Sequence, residues 1–402
     1  MELFGYFCVV TLILAVGDLV SARTRGVLPA LFVASALFLF GFWSGYLPKN
    51  IVQEVGLGAP LADFAMSLMV VQMGSTLSPR RLIAEWRSIA IAASGLAGMI
   101  AFLLIFGRML IAWETIAVAA PPLTGGLVAA TMMVQAATER GFSSPAVLAT
   151  VIYVLQGFLS YPLTAWLLRL EGRRLLEIRR TDPHLLRALP EESPSERVPF
   201  FSALQQTTPF TRIALIALVA LAATGASGML EALLTRISPA LKVYTPHPLV
   251  LCFLFGCLAT RYRITDRRPL ARTSSIGFLA IILTAHVMSF LQGATPGMIL
   301  SSLYELLVAI GVGATGLLCF AAASSRFFGY SIPMAAALSL TAFSGFPQNF
   351  LLADESARHL SENAEEYDFL MQHTLPQMLV GGFVTIMIAS VVIAELFVRI
   401  LG

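Results

Sequence analysis

Apolar residues fall in long blocks along this chain, separated by short polar, mostly basic connections. In the first half the blocks cover 3–20, 27–47, 58–77, 89–107, 111–137 and 145–168; in the second, 213–235, 246–260, 275–293, 298–322, 328–352 and 374–398. About 20 apolar residues of helix cross the roughly 30 Å of hydrocarbon in a bilayer. The pattern therefore predicts an all-α integral membrane protein. One long hydrophilic stretch, 169–211, rich in Arg, Glu and Pro, divides the chain into repeats at 1–168 and 212–402. Inside that stretch Leu175, Leu176, Ile178, Leu185, Leu186 and Leu189 alternate with Arg. That spacing suits either an amphipathic helix lying on an anionic leaflet or a plain solvated linker.

Two blocks are broken at their centres. Block 111–137 contains Pro121-Pro122-Leu123-Thr124-Gly125-Gly126, and block 328–352 contains Thr341-Ala342-Phe343-Ser344-Gly345-Phe346-Pro347-Gln348-Asn349. Pro removes a helical hydrogen bond and Gly admits φ > 0, so each block is expected to interrupt its helix. The freed backbone groups cannot face lipid and must lie against protein or a wet cavity.

Charge indicates how these blocks run. Arg and Lys concentrate in cytoplasmic loops. Arg23 and Arg25 follow the first block, Arg80, Arg81 and Arg87 the third, and Arg169, Arg173, Arg174, Arg179, Arg180, Arg187 and Arg197 fill the central stretch. These loops share one face only if 111–137 is a re-entrant hairpin that leaves on the side it entered. The second half then runs in the opposite sense. Its basic loop 261–273 is cytoplasmic, 328–352 is a second re-entrant hairpin, and both termini lie outside. The acidic interval 353–373 is cytoplasmic in the same scheme, since Asp and Glu contribute little to orientation. The predicted architecture is two inverted repeats of five transmembrane helices, each with one re-entrant hairpin. A sequence echo agrees with it: Thr124-Gly125-Gly126 precedes Ala137-Thr138-Glu139-Arg140 as Ser344-Gly345 precedes Asp354-Glu355-Ser356-Ala357-Arg358.

Composition narrows the class further. Hydrophobic residues make up 57% and charged residues 12% of the chain, about half the charged fraction of a soluble protein. Mean hydropathy is +0.81. Cys8, Cys252, Cys257 and Cys319 lack metal-ligand spacing and suggest no disulfide framework. Nucleotide-binding and hydrolase motifs are missing too, which argues against an enzyme; no nucleic-acid partner is indicated. Without a basic n-region or cleavage site, Leu3–Val20 reads as a retained helix rather than a signal peptide.

Candidate chemistry centres on the breaks. A broken helix presents N–H groups and a positive dipole end to an anion, and exposed carbonyls to Na⁺. The first tip supplies Thr124, Gly125 and Gly126; the second supplies Ser344, Gly345, Gln348 and Asn349. Hydroxyls and amides can bind a carboxylate or complete a Na⁺ shell without a fixed charge. The alternative is that these small residues only let helices pack closely. Asp63, Gln72, His286 and Glu305 are candidates for ion coupling, because polar and ionisable groups at membrane depth usually face an interior or a wet path. Asp63, near a helix end, could equally reach interfacial water. His286 could titrate or remain a neutral imidazole bonded across helices. Glu305 could pair with a neighbour or a cation.

On Thr124-Gly125-Gly126 with the trailing Ala137-Thr138-Glu139-Arg140-Gly141, the chain resembles the glutamate:sodium symporter family, and more distantly the 2-hydroxycarboxylate transporters. Val128 stands where the family's loop pattern has a further Gly, and Ser344-Gly345-Phe346-Pro347 departs further from it. The resemblance implies five-helix halves of opposite orientation, a homodimer and a bacterial inner membrane. The expected function is Na⁺-coupled symport of a small organic anion such as glutamate, by alternating access, with Na⁺ as coupling ion and no other cofactor. H⁺ coupling, or a dicarboxylate or 2-hydroxycarboxylate substrate, is the alternative within transport. A channel or a membrane-embedded lipid enzyme is the alternative outside it. The topology is testable by cysteine labelling: cysteines at Lys49 and Arg108 should react from outside, and those at Arg80 and Arg180 only from inside. External labelling at Arg180 would overturn the re-entrant reading of 111–137.

Overall fold

Where water cannot compete for backbone hydrogen bonds, an apolar segment satisfies its own as helix. The described residues are accordingly all-helical, with no strand. A computed structural model of the chain describes residues 2–76, 85–181, 208–238, 248–262, 275–345, 348–383 and 389–401, with 245, 264–265, 269–270, 273 and 385 besides. In chain order the principal helices are α1 (Glu2–Arg23), α2 (Ala30–Ser44), α3 (Ala59–Thr76), α4 (Trp86–Ile105), α5 (Trp113–Ala119), α6 (Leu127–Glu139) and α7 (Ser143–Thr181). There follow α8 (Pro209–Ile237), α9 (Pro248–Arg261), α10 (Ile276–Ser289), α11 (Leu303–Phe328), α12 (Ile332–Ser344), α13 (Gln348–Leu360), α14 (Ala364–Phe383) and α15 (Ser390–Ile400).

Among the described residues, six helical segments are long and apolar enough to cross a bilayer: Leu3–Arg23, Trp86–Met109, Ser143–Thr181, Pro209–Ile237, Ile276–Gly293 and Leu303–Phe328. Their outer faces remain apolar. On α1, Phe4, Leu12 and Leu19 are 75%, 62% and 63% exposed, and α8 exposes Leu218, Leu221, Met229 and Leu233. Surfaces of this kind suit lipid, since soluble monomers rarely show such continuous apolar area. Several such helices mark a multi-pass membrane protein.

Some blocks differ from their expected extents. Block 27–47 contracts to the 15 residues of α2, because Pro29 starts the helix and Gly45, at φ 75°, ends it. The span drawn over 145–168 continues instead to Thr181 as part of the 39-residue α7. Glu171, Gly172, Leu175 and Leu176 are buried along this extension, so tertiary packing keeps the basic stretch helical. Leu185, Leu186 and Leu189 lie outside the described residues. Block 374–398 divides between α14, which begins earlier at Ala364, and α15.

The chain forms two compact units that do not follow the sequence halves. The first contains α1, α2, α4–α7 and α11–α15; the second contains α3, α8, α9 and most of α10. In the second unit, α3 and α9 touch backbone to backbone. A Cβ built on Gly74 would lie 2.1 Å from the Phe253 carbonyl oxygen, and one on Gly256 2.4 Å from that of Val71. Gln72 is buried there, and its Oε1 accepts the Leu270 N–H at 2.8 Å. In the first unit, α4 and α11 make a similar contact at Gly98 and Gly316. Small residues are what allow such close approach between membrane helices.

Polar residues fasten the broken pair α12–α13 within the first unit. Ser331 caps α12 by accepting the Met334 N–H at 3.2 Å, and its hydroxyl donates to the buried Glu171 of α7. The neighbouring Tyr330 hydroxyl donates to Glu85 at 2.9 Å and lies 2.7 Å from the Ser88 hydroxyl. At the other end of the pair, Glu355 accepts the Ser21 hydroxyl and, at 3.0 Å, the Ala30 N–H. Its carboxylate thereby caps α2, whose own N-cap residue, Pro29, supplies no side-chain bond.

Glu355 belongs to the interval 353–373, outside the spanning segments. Burial pushes its carboxyl above the ordinary carboxylate range, with Asp18 and Asp354 adding to that effect against the hydrogen bonds from Ser21 and Ala30. A raised folded-state value means that its contribution to stability is complete at low pH and is lost as pH rises through that value. The Ser21 hydroxyl and the shorter Ala30 contact fall on Oε1, with Oε2 sharing the Ala30 N–H at 3.3 Å, so an amide oxygen at Oε1 can replace the closer pair. Glu355→Gln should therefore melt at or above the wild-type temperature at pH 8 in detergent, with its advantage shrinking towards pH 4. Glu355→Leu, which leaves α2 uncapped, should lose about 1 kcal/mol. A Gln variant less stable at pH 8 than at pH 4, relative to wild type, would contradict this account.

Candidate functional site at the two helix breaks

Both expected interruptions occur, each with the geometry its residues require. α5 ends at Ala119, and Pro122–Thr124 form a single 3₁₀ turn. Gly125 then adopts φ 83°, ψ 0°, and Gly126 is extended before α6 begins at Leu127. The Thr124 side chain is fully buried, and its hydroxyl donates to the Pro121 carbonyl at 2.6 Å. It satisfies an acceptor beside the two prolines, where no helix continues.

The second break begins at the C-terminus of α12. Gly345 adopts φ 80°, ψ 174°, and α13 starts at Gln348; Phe346 and Pro347 lie outside the described residues. The Ser344 hydroxyl lies 2.6 Å from that of Ser160 on α7. One residue further along α7, the Tyr161 hydroxyl shares a hydrogen bond with the Gln348 side chain. Asn349 is 1% exposed, yet neither its Oδ1 nor its Nδ2 has a partner among the described residues. Buried polar atoms are nearly always paired, and leaving one unpaired costs about 1–3 kcal/mol.

The two breaks share neighbours, because the Pro122–Thr124 turn packs against both α7 and α12. All seven residues expected at the tips therefore belong to the first unit. The ion-coupling candidates are dispersed. Asp63, Gln72 and His286 lie in the second unit. There Asp63 is exposed and close enough to His286 for their charges to interact, while Gln72 holds Leu270. Glu305 is half-buried in the first turn of α11, where a carboxylate favours the positive end of the helix dipole.

Several polar residues around the second break were overlooked in the sequence. On α7, Gln156, Ser160 and Thr164 recur every fourth residue and are all buried; Gln156 Oε1 and Thr164 Oγ1 have no partner among the described residues. That polar stripe inside an apolar block was a legible signal. On α14, Gln377 is buried with its Oε1 likewise unpartnered. Beyond it, Gly381 and Gly382 let α14 approach closely: a Cβ on Gly382 would lie 2.6 Å from Asn349 Nδ2, and one on Gly381 would lie 2.3 Å from the Leu338 side chain. No protein-family model matches the chain, and a search of characterised proteins found no significant match.

The backbone at the tips separates two kinds of glycine requirement. The αL geometry of Gly125 is one that Asn also tolerates, whereas the conformation of Gly345 is essentially restricted to glycine. Gly125→Asn should fold with near-wild-type stability, and Gly345→Asn should lose about 1–3 kcal/mol. Melting of the purified variants checks these outcomes; equal loss of stability in the two Asn variants would contradict the distinction.

Proposed function

We propose that this chain is a secondary transporter, a Na⁺-coupled symporter of a small organic anion with glutamate among its candidate substrates, working by alternating access. The observation that carries this reading is the convergence of two helix breaks on a buried, uncharged polar neighbourhood. Among the described residues the tips bring hydroxyls, amides and interrupted backbone but no carboxylate or His, a composition suited to Na⁺ and to an anion held by N–H groups.

Contacts along α7 support a hairpin over 328–352. Ser331, before α12, meets Glu171, and Leu360, at the end of α13, lies where a Cβ on Gly172 would be 2.5 Å away. The break between them meets Ser160 and Tyr161 instead, about two to three turns back along the helix. A segment that starts and finishes at one level of α7 and breaks at another fits re-entry from a single side. The order of elements supports the inverted repeat: in each half a broken helix pair follows a long apolar helix and precedes the last helix or helices. On this reading both termini are outside, the central stretch is cytoplasmic in a bacterial inner membrane, and the protein is a homodimer. The unit that carries both broken pairs is then the candidate moving element.

H⁺ coupling, with a dicarboxylate or 2-hydroxycarboxylate as substrate, is the second reading, and the proximity of Asp63 and His286 favours it. Proteoliposomes offered a labelled panel of amino acids and dicarboxylates, under Na⁺ or pH gradients, separate the two. Uptake should depend steeply on external Na⁺, and His286→Gln should retain that dependence because an amide can replace a neutral imidazole's hydrogen bonds. Uptake that follows the pH gradient, ignores Na⁺ and fails in His286→Gln would establish the second reading instead.

A further inference from the structure

Three helices bring oxygen-bearing side chains into one layer behind the second tip. On α7, Thr164 lies one turn beyond Ser160, which meets Ser344, and one turn before Leu168. Leu168 lines a small cleft with Ala353 of α13 and Thr374 of α14. On α13, Asn349 is one turn before Ala353 and adjoins Gln348, the partner of Tyr161. On α14, Gln377 falls between Thr374 and Gly382, the glycine against Asn349 Nδ2. The spacings i, i+4 on α7 and α13, and i, i+3 on α14, keep each side chain on the face that lines the cleft.

Thr164, Asn349 and Gln377 are 0%, 1% and 5% exposed. Thr164 Oγ1, Asn349 Oδ1 and Gln377 Oε1 all lack a partner among the described residues. Unpartnered oxygens from three different helices, at matching depth, are not explained by helix packing. A Val, a Leu and a Met would fill the same space without burying unsatisfied polar atoms. Hydroxyl and amide oxygens are, however, the ligands a hard cation takes where no carboxylate is present.

We propose that Thr164 Oγ1, Asn349 Oδ1 and Gln377 Oε1 form a monovalent-cation site, selective for Na⁺, one turn behind the second tip. This inference rests on the symport reading and specifies where its coupling ion sits. Asn349 then joins the cation to the start of α13, so that binding fixes the second break and orders the N–H groups an anion meets. Among the described residues the three proposed ligands carry no group that titrates near neutral pH, so the site discriminates by ion and not by pH.

Purified full-length protein tests it through melting temperature in NaCl, KCl or choline chloride, and through uptake as Na⁺ is varied. Wild type should be stabilised by Na⁺ and not by K⁺. Thr164→Val and Gln377→Leu should each raise the half-saturating Na⁺ concentration at least tenfold in both measurements. The KM for the anion at saturating Na⁺ should change less than threefold, and Thr164→Ser, which restores the hydroxyl, should restore Na⁺ affinity. If uptake is Na⁺-dependent but Thr164→Val and Gln377→Leu keep wild-type half-saturation, this site is refuted and the symport reading stands. If wild-type uptake ignores Na⁺, both fall. Should Gln377→Leu fail to fold, Thr164→Val decides alone, since it removes an oxygen without changing the volume.

Discussion

A backbone group released from a helix inside a bilayer has no water to turn to, and the first unit is organised around that constraint. Two segments break their helices, and each break is covered by protein. At the first, Thr124 turns its hydroxyl onto the Pro121 carbonyl within the same turn. At the second, the cover comes from another helix, through Ser160 and Tyr161 of α7. The long α7 is therefore the common support: it packs against both broken pairs, and its polar stripe faces the second break.

The same helix also fixes the ends of α12 and α13. Glu171 holds Ser331 at the start of α12, and Gly172 leaves room for Leu360 at the end of α13. Glu355 ties α13 to α1 and α2. These polar anchors hold the far ends of the broken pair, while at its centre the Asn349 amide has no partner among the described residues.

Much of the fold was legible in the sequence. Pro121-Pro122 and Gly125-Gly126 announced the first break, and Gly345 with Pro347 the second, because no neighbour can restore a missing N–H or forbid φ > 0. The lipid-facing helices were equally plain from block length. The site was legible only in part. Ser344, Gln348 and Asn349 could be named from their place at the break, but Gln156, Thr164 and Gln377 could not be connected to them. Gln156 and Thr164 stand nearly 200 residues before the second break in the chain, and only packing sets α7 and α14 beside it.

The sequence by itself determined local matters: which blocks are helical, where they break, and that the exterior is apolar. These depend on a residue's own backbone and its transfer from water to lipid, which no distant neighbour alters. The tertiary structure decided everything that depends on contact between segments. It kept α7 helical to Thr181 by burying Leu175 and Leu176, and grouped α3 with α8 and α9 rather than with its own half. It also gave the Gln72 side chain a backbone partner, while the Asn349 side chain has none among the described residues. What a buried amide does depends on what stands opposite it, and for Gln72 that is the N–H of Leu270, 198 residues further along the chain.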